Sequence, residues 1–249
     1  MASLEFEIVS LWPGRPDTPS GVARKFLATL DTLSAGDSLF QDWGCYDNNN
    51  VPQGWRIEAL RPDFTAFVER HVYRDELGEP FPSGGYQVWA TSRFVSGSLP
   101  NPQSGNFLVD AGSAPTKNLS TFKIGPYPDP PPPDLITYRR FRLALTTIVA
   151  VWAPAWSNAS CWVPGLLPAT TTGDPSFPYS QSQIPWIAYL DAERSKGLET
   201  PPDLPTEQTP DGGLLMIAAE TTPDLTNAAF LRNSKAIAEI LIDRADPRY

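Results

Sequence analysis

The sequence predicts an α+β protein: a mixed, mostly antiparallel sheet with amphipathic helices packed on it. Three observations support this. Stretches that alternate apolar and polar residues and stretches with an apolar stripe follow one another without the regular strand–helix rhythm of a doubly wound fold. After Trp156 the chain turns to short apolar strands separated by loops rich in Pro, Thr, Ser and Gly. No self-similarity at a period of roughly 20–50 residues appears, which excludes solenoids and propellers. A chain of 249 residues, 41% of them hydrophobic, can support a large core. It is read as one domain over 1–249, with an internal crossover at the proline-rich stretch 125–134.

Leu4 to Trp12 reads as a strand, with Leu4, Phe6, Ile8 and Ser10 on one side and the glutamates on the other. Pro13-Gly14 then turns the chain. Thr18 before Pro19 marks a helix start, because threonine caps the free N–H groups and proline at the first helical position lacks a donor that would go unused there. Val22, Phe26, Leu30 and Leu33 form one buried stripe, and Gly36 ends the helix. A second helix is expected from Pro62 to about Val72, with Phe64, Phe67, Val68 and His71 on one face. Tyr86 to Val95 and Asn106 to Asp110 read as antiparallel neighbours.

Gly125 to Asp134 is dominated by proline and must be extended. From Leu135 a long helix follows, with Phe141, Leu145, Ile148, Val149 and Trp152 inward, until Pro154 stops it. Strands are expected at Cys161–Val163, Ile184–Leu190 and Leu214–Ala219, the last opened by Gly212-Gly213. A closing helix runs from Asp224 or Asn227 to Asp243, with Phe230, Ile237, Ile240 and Leu241 inward.

Few residues point to catalysis. The one histidine, His71, lies on the apolar side of its helix, where a buried neutral ring is the ordinary expectation. No nucleophile elbow, phosphate-binding glycine loop or His/Cys spacing for a transition metal occurs, and no cofactor is expected. Asp75, Glu76 and Glu79 stand beside glycine as a solvated turn would, although together with His71 and Trp89 they define an alternative reading as a sugar or peptide hydrolase. The eight tryptophans are expected to pack. Cys45 and Cys161 are too few for a disulfide framework. Glu5 and Glu7 break any secretory leader at the start, and Leu143 to Trp156 is too short to span a bilayer, so a cytoplasmic location is expected.

The formal charge is −9, from 19 basic and 28 acidic residues, which excludes a polybasic nucleic-acid binder. The excess is concentrated late. Between Gly197 and Leu231 there is no lysine or arginine, whereas Glu199, Asp203, Glu207, Asp211, Glu220 and Asp224 contribute carboxylates, several of them in the loop from Thr200 to Asp211. Such a stretch either keeps the protein soluble or docks a basic partner.

Several segments in order resemble the immunity protein 52 family of bacterial polymorphic toxin systems. They are Ser10-Leu11-Trp12-Pro13-Gly14-Arg15-Pro16, Phe40-Gln41-Asp42-Trp43, and Tyr73-Arg74-Asp75-Glu76-Leu77-Gly78-Glu79-Pro80 leading to Gly85. Val151-Trp152-Ala153-Pro154-Ala155-Trp156, Pro185-Trp186-Ile187-Ala188-Tyr189-Leu190 and Gly212-Gly213-Leu214-Leu215-Met216-Ile217-Ala218 continue the pattern. The resemblance implies a non-enzymatic, cytoplasmic protein that binds and neutralises a cognate toxin, often a restriction-endonuclease-like nuclease delivered by a contact-dependent or type VI apparatus. Inhibition would occlude the toxin's cleft or block its assembly. The motif tryptophans, Tyr189, Pro154, Gly85 and Gly213 are assigned to the scaffold. The toxin contact is expected at Glu199, Asp203, Glu207, Asp211, Glu220 and Asp224, with no direct role for nucleic acid or membrane. A non-neutralising effector chaperone or adaptor is the remaining alternative.

Overall fold

A computed structural model describes residues 5–46, 54–96, 103–114, 118–125, 134–162 and 183–244. Its framework is a ten-stranded sheet in which every neighbouring pair is antiparallel. The strands are β1 (Glu5–Trp12), β2 (Gly44–Tyr46), β3 (Gly54–Arg56), β4 (Tyr86–Thr91), β5 (Gly105–Ala111), β6 (Asn118–Ile124), β7 (Trp156–Trp162), β8 (Gln183–Leu190), β9 (Thr206–Gln208) and β10 (Leu214–Ile217). They lie in the order β3-β2-β4-β5-β6-β1-β7-β8-β10-β9. The helices are α1 (Pro19–Gly36), α2 (Ile57–Leu60), α3 (Phe64–Arg70), α4 (Tyr138–Trp152), α5 (Ala192–Ser195) and α6 (Ala228–Arg244). The α+β expectation is met, and strands from both sides of the proline run share this sheet. The run itself, 126–133, lies outside the described residues.

β1 sits near the middle, between β6 and β7, and this position explains its burial on both faces. Phe6, Ile8, Ser10 and Trp12 are buried on one side, and Ser10 meets the Ser157 hydroxyl at 2.7 Å. On the other side Glu7 is held by Lys123 at 2.8 Å and by the Gln183 amide at 3.0 Å, so the charge is taken from water only with partners in place.

α1 begins as expected. The Thr18 hydroxyl accepts the Gly21 N–H, Pro19 follows, and Val22, Phe26, Leu30 and Leu33 are buried. Phe26 stacks on Phe107 of β5 and Phe64 of α3, with ring centroids 5.3 and 5.7 Å apart. Each such burial contributes about 1.5–3 kcal/mol. The expected helix from Pro62 to about Val72 is α3, Phe64–Arg70; ahead of it a 3-10 turn spans Arg61–Asp63 and the one-turn α2 ends at Leu60. Pro62 has no N–H to continue the ladder, and its ring crowds the preceding turn. The inner face is nevertheless as expected, with Phe64, Phe67, Val68 and His71 buried.

β4 stops at Thr91 instead of continuing to Val95, because Arg93 is left-handed (φ 52°) and turns the chain. The Arg93 and Phe94 N–H groups then bond Gln41 and Asp42. α4 begins at Tyr138 instead of Leu135, capped by the Thr137 hydroxyl, while Leu135 and Ile136 are buried ahead of it. It ends at Trp152 with Ala153 in the left-handed conformation. Its Phe141 meets Phe122, Phe6 and Trp186, so this helix joins the two halves of the sheet. β7 is longer than the expected Cys161–Val163 and reaches back to Trp156. At a register shift between Ala159 and Ser160, Trp186 of β8 is the extra residue.

Candidate functional site

The acidic segment follows α5 and folds back on the sheet. The reading of Thr200–Asp211 as irregular loop is corrected: Thr206–Gln208 form β9, an edge strand paired with β10 in the register Glu207 to Leu215. Buried Leu204 anchors the approach to it. The tight connection between the two strands explains the pairing. The Thr209 N–H bonds the Gly213 carbonyl at 2.9 Å, and Gly212 (φ 84°) supplies the left-handed turn. A three-residue edge strand carrying a charge also resists adding a foreign strand.

The six carboxylates divide into two groups. Glu207 pairs with Arg142 of α4. Asp211 accepts the Tyr189 hydroxyl at 2.6 Å and also bonds the Thr209 hydroxyl and the Gly213 N–H. Partial burial pushes the Asp211 carboxyl up, but these hydrogen bonds outweigh it and hold the group below its ordinary value. Asp224 accepts the Thr226 hydroxyl and N–H, which likewise hold it low. These three shape turns and join elements. Glu199, Asp203 and Glu220 are exposed and form no hydrogen bond or ion pair with a described residue. Glu207 and Glu220 share a neighbourhood at Tyr138: burial pushes its hydroxyl up, both glutamates add to that, and Arg142 opposes them.

The residues of the hydrolase reading are placed differently. His71 is buried at the end of α3, its ring 4.2 Å from that of Phe67 and its Nδ1 donating to the Phe67 carbonyl at 2.7 Å. Asp75 accepts the N–H groups of Leu77 and Glu79, each at 2.9 Å, which makes it the organiser of a turn. Glu76 and Glu79 are exposed around that turn. Trp89 stacks on Tyr46 at 4.9 Å. A groove of about 400 Å³ lies elsewhere, between α1 and the stretch 61–65, lined by Arg24, Leu27, Asp31, Arg61 and Phe64 among others. It contains none of these groups. Among the described residues no cluster of His, Cys, Asp and Glu could hold a metal ion.

The sequence reading missed a polar network on the sheet. Tyr73 donates to Asp110 at 2.6 Å, and the Gln87 amide donates to the same oxygen at 2.9 Å. Burial pushes the Asp110 carboxyl up against the pull of these two bonds. The only signal available in sequence was polar residues at period two inside apolar strands.

No family model matches the chain, and no curated protein matches it. Among solved structures, it resembles the Pseudomonas aeruginosa T6SS protein PA0821, with a TM-score of 0.50 and 12% identity over 94% of this chain and 73% of that one. At that identity the likeness is one of fold: the chain shares its α+β architecture with a type VI secretion system protein. Among the described residues no helix is long and apolar enough to cross a membrane.

Proposed function

We propose that this chain is an immunity protein. It binds and neutralises a cognate bacterial toxin of a type VI or polymorphic toxin system, a basic nuclease effector, in the cytoplasm of the producing cell. The observation that carries this reading is the fold shared over 94% of the chain with a type VI secretion protein. The ordered segments that resemble the immunity protein 52 family agree with it. The action is stoichiometric capture without turnover. In support of this, His71 is engaged within the core and Asp75 within a turn.

Charge supports a basic partner. Glu199, Asp203 and Glu220 project from a stretch without a single lysine or arginine between Gly197 and Leu231. Complementary charge of this kind raises encounter rates and disfavours wrong partners. Glu207, Asp211 and Asp224 hold that surface in shape.

The test is co-expression with the product of the adjacent reading frame. Growth should be rescued, and rescue would separate immunity from an adaptor that binds without neutralising. Changing Glu199, Asp203 and Glu220 together to lysine should weaken binding and flatten its salt dependence, because exposed charges are screened over about 8 Å at physiological ionic strength. Lethality untouched by the wild-type chain would end the proposal.

A further inference from the structure

Residues 72–86 leave the sheet between α3 and β4, form a hairpin and return. The root is firmly tied. Val72 bridges to Tyr86, the Tyr73 N–H bonds the Gly85 carbonyl at 3.0 Å, and the Gln87 N–H bonds the His71 carbonyl at 3.0 Å. His71 itself is buried against Phe67, so the single histidine serves as part of this footing. Gly85 (φ 88°) is required at the return, since a Cβ there would lie 2.5 Å from the Ala111 carbonyl oxygen.

The tip is equally well defined. The Phe81 N–H bonds the Tyr73 carbonyl, the Asp75 N–H bonds the Glu79 carbonyl, and the Gly78 N–H bonds the Asp75 carbonyl. The Asp75 carboxylate takes two more N–H groups, the Arg74 guanidinium caps the Gly78 carbonyl, and Gly78 is left-handed. This network fixes a tip that itself packs little apolar surface. Leu77 is 87% exposed, and Phe81 and Tyr73 are 44% and 39% exposed. Three of the seven large exposed hydrophobic residues among those described thus fall within nine positions. Glu76 and Glu79 flank Leu77, exposed and without an ion pair to a described residue.

We infer that this hairpin is a second toxin-docking element, an apolar one, separate in the sheet order from the carboxylates beside β9. Leu77 enters an apolar pocket on the toxin, and Glu76 and Glu79 pair with lysines or arginines around the pocket's rim. The inference rests on the immunity reading and adds an apolar anchor to the charged surface proposed for it. An apolar anchor ringed by charge, on a backbone already held in its bound shape, matches how interfaces concentrate binding in a few residues and avoid the entropy of ordering a loop. The two unpaired carboxylates select a cationic partner surface. Asp75 is excluded from the contact because the turn uses it.

Purified full-length chain and its variants should be titrated against the inactivated product of the adjacent reading frame, with growth rescue scored in parallel. Leu77→Ala is expected to weaken binding roughly ten- to hundredfold, the loss expected for an apolar side chain removed from a filled pocket. The pair Glu76→Lys with Glu79→Lys is expected to slow association and reduce its salt dependence. Leu231→Ala, an exposed apolar residue on α6, should bind as wild type. Urea midpoints identical to wild type would show that Leu77→Ala folds normally, and the glutamate pair provides an independent readout. If wild type binds and both hairpin variants bind equally well, the hairpin is overturned and the immunity reading survives. If wild type itself fails to bind, both fall.

Discussion

Tyr189 tests how the candidate acidic surface is held. Its ring is fully buried on β8 and its hydroxyl donates to Asp211 at 2.6 Å, across the turn that joins β9 to β10. Tyr189→Phe keeps the ring and its packing against Gly213 and deletes one charge-assisted hydrogen bond. Such bonds contribute about 1.5–3 kcal/mol, and because Asp211 is exposed to water the expected loss is about 1–2 kcal/mol. The pH dependence follows from the direction of the shift. The Asp211 carboxyl is held below its ordinary value of 3.8 in the folded state, so its stabilisation is present in full above that value and is lost as pH falls through the folded value. Urea unfolding followed by circular dichroism should therefore show the full cost of Tyr189→Phe near neutrality and a shrinking cost below 3.8. The double variant Tyr189→Phe/Asp211→Asn should be less damaging than the sum of the singles by about 1 kcal/mol. Equal costs at neutral and acidic pH, or strict additivity, would refute this assignment of Asp211 to the scaffold.

Ala153 closes α4 at φ 47°, where a Cβ is unfavourable by roughly 1–2 kcal/mol; Ala153→Gly should therefore raise the urea midpoint, with a net gain of about 0.5–1 kcal/mol after glycine's greater unfolded freedom is subtracted. Burial raises the Asp110 carboxyl, so its favourable contribution is complete below its ordinary value and disappears as pH rises through the folded value. Asp110→Asn, compared with wild type by urea titration, should consequently look worse at acidic pH than near neutrality. Cys45 and Cys161 are free and buried, and burial pushes both thiols up, Cys161 to about 12; a colorimetric thiol reagent should label neither quickly in the native protein and both after denaturation.

What was legible in the sequence was whatever a single face dictates. α1 has one stripe and a Thr-Pro start, and its course from Pro19 to Gly36 follows from them. β6 was missed because its buried side carries Asn118 and Ser120 beside Phe122 and Ile124, a face that reads as polar until the strands around it are known. Asn118 earns its burial through tertiary bonds: its amide spans the Ser113 N–H and the carbonyls of Ser113 and Pro13. The full length of β7 was hidden for a related reason. Ser157, Ala159 and Cys161 have little strand preference of their own, and pairing with β1 decides the matter. The helix expected over 62–72 forms over 64–70, and Pro62 marks the break between it and the short α2.

The candidate site was legible as composition but not as geometry. Counting carboxylates singled out residues 199–224, yet a count cannot distinguish Asp203, which faces water, from Asp211, which is tied to a buried tyrosine, or from Glu207, which bridges β9 to α4. The segment 73–80 is legible in sequence as a turn and as part of the family resemblance, but not as an apolar tip. Asp75, Glu76, Gly78 and Glu79 spell a turn, and turn chemistry does not say whether Leu77 packs inward or stays in water. Only the fold shows that Asp75 serves the backbone, that His71 and Gly85 brace the root, and that Leu77 is held away from the core. A turn needed merely to reverse the chain would be as well served by a polar residue at that tip. What the proposed contact draws on is therefore the grouping of Leu77, 87% exposed, with the partly exposed Phe81 and Tyr73 on one rigid hairpin, not the leucine alone.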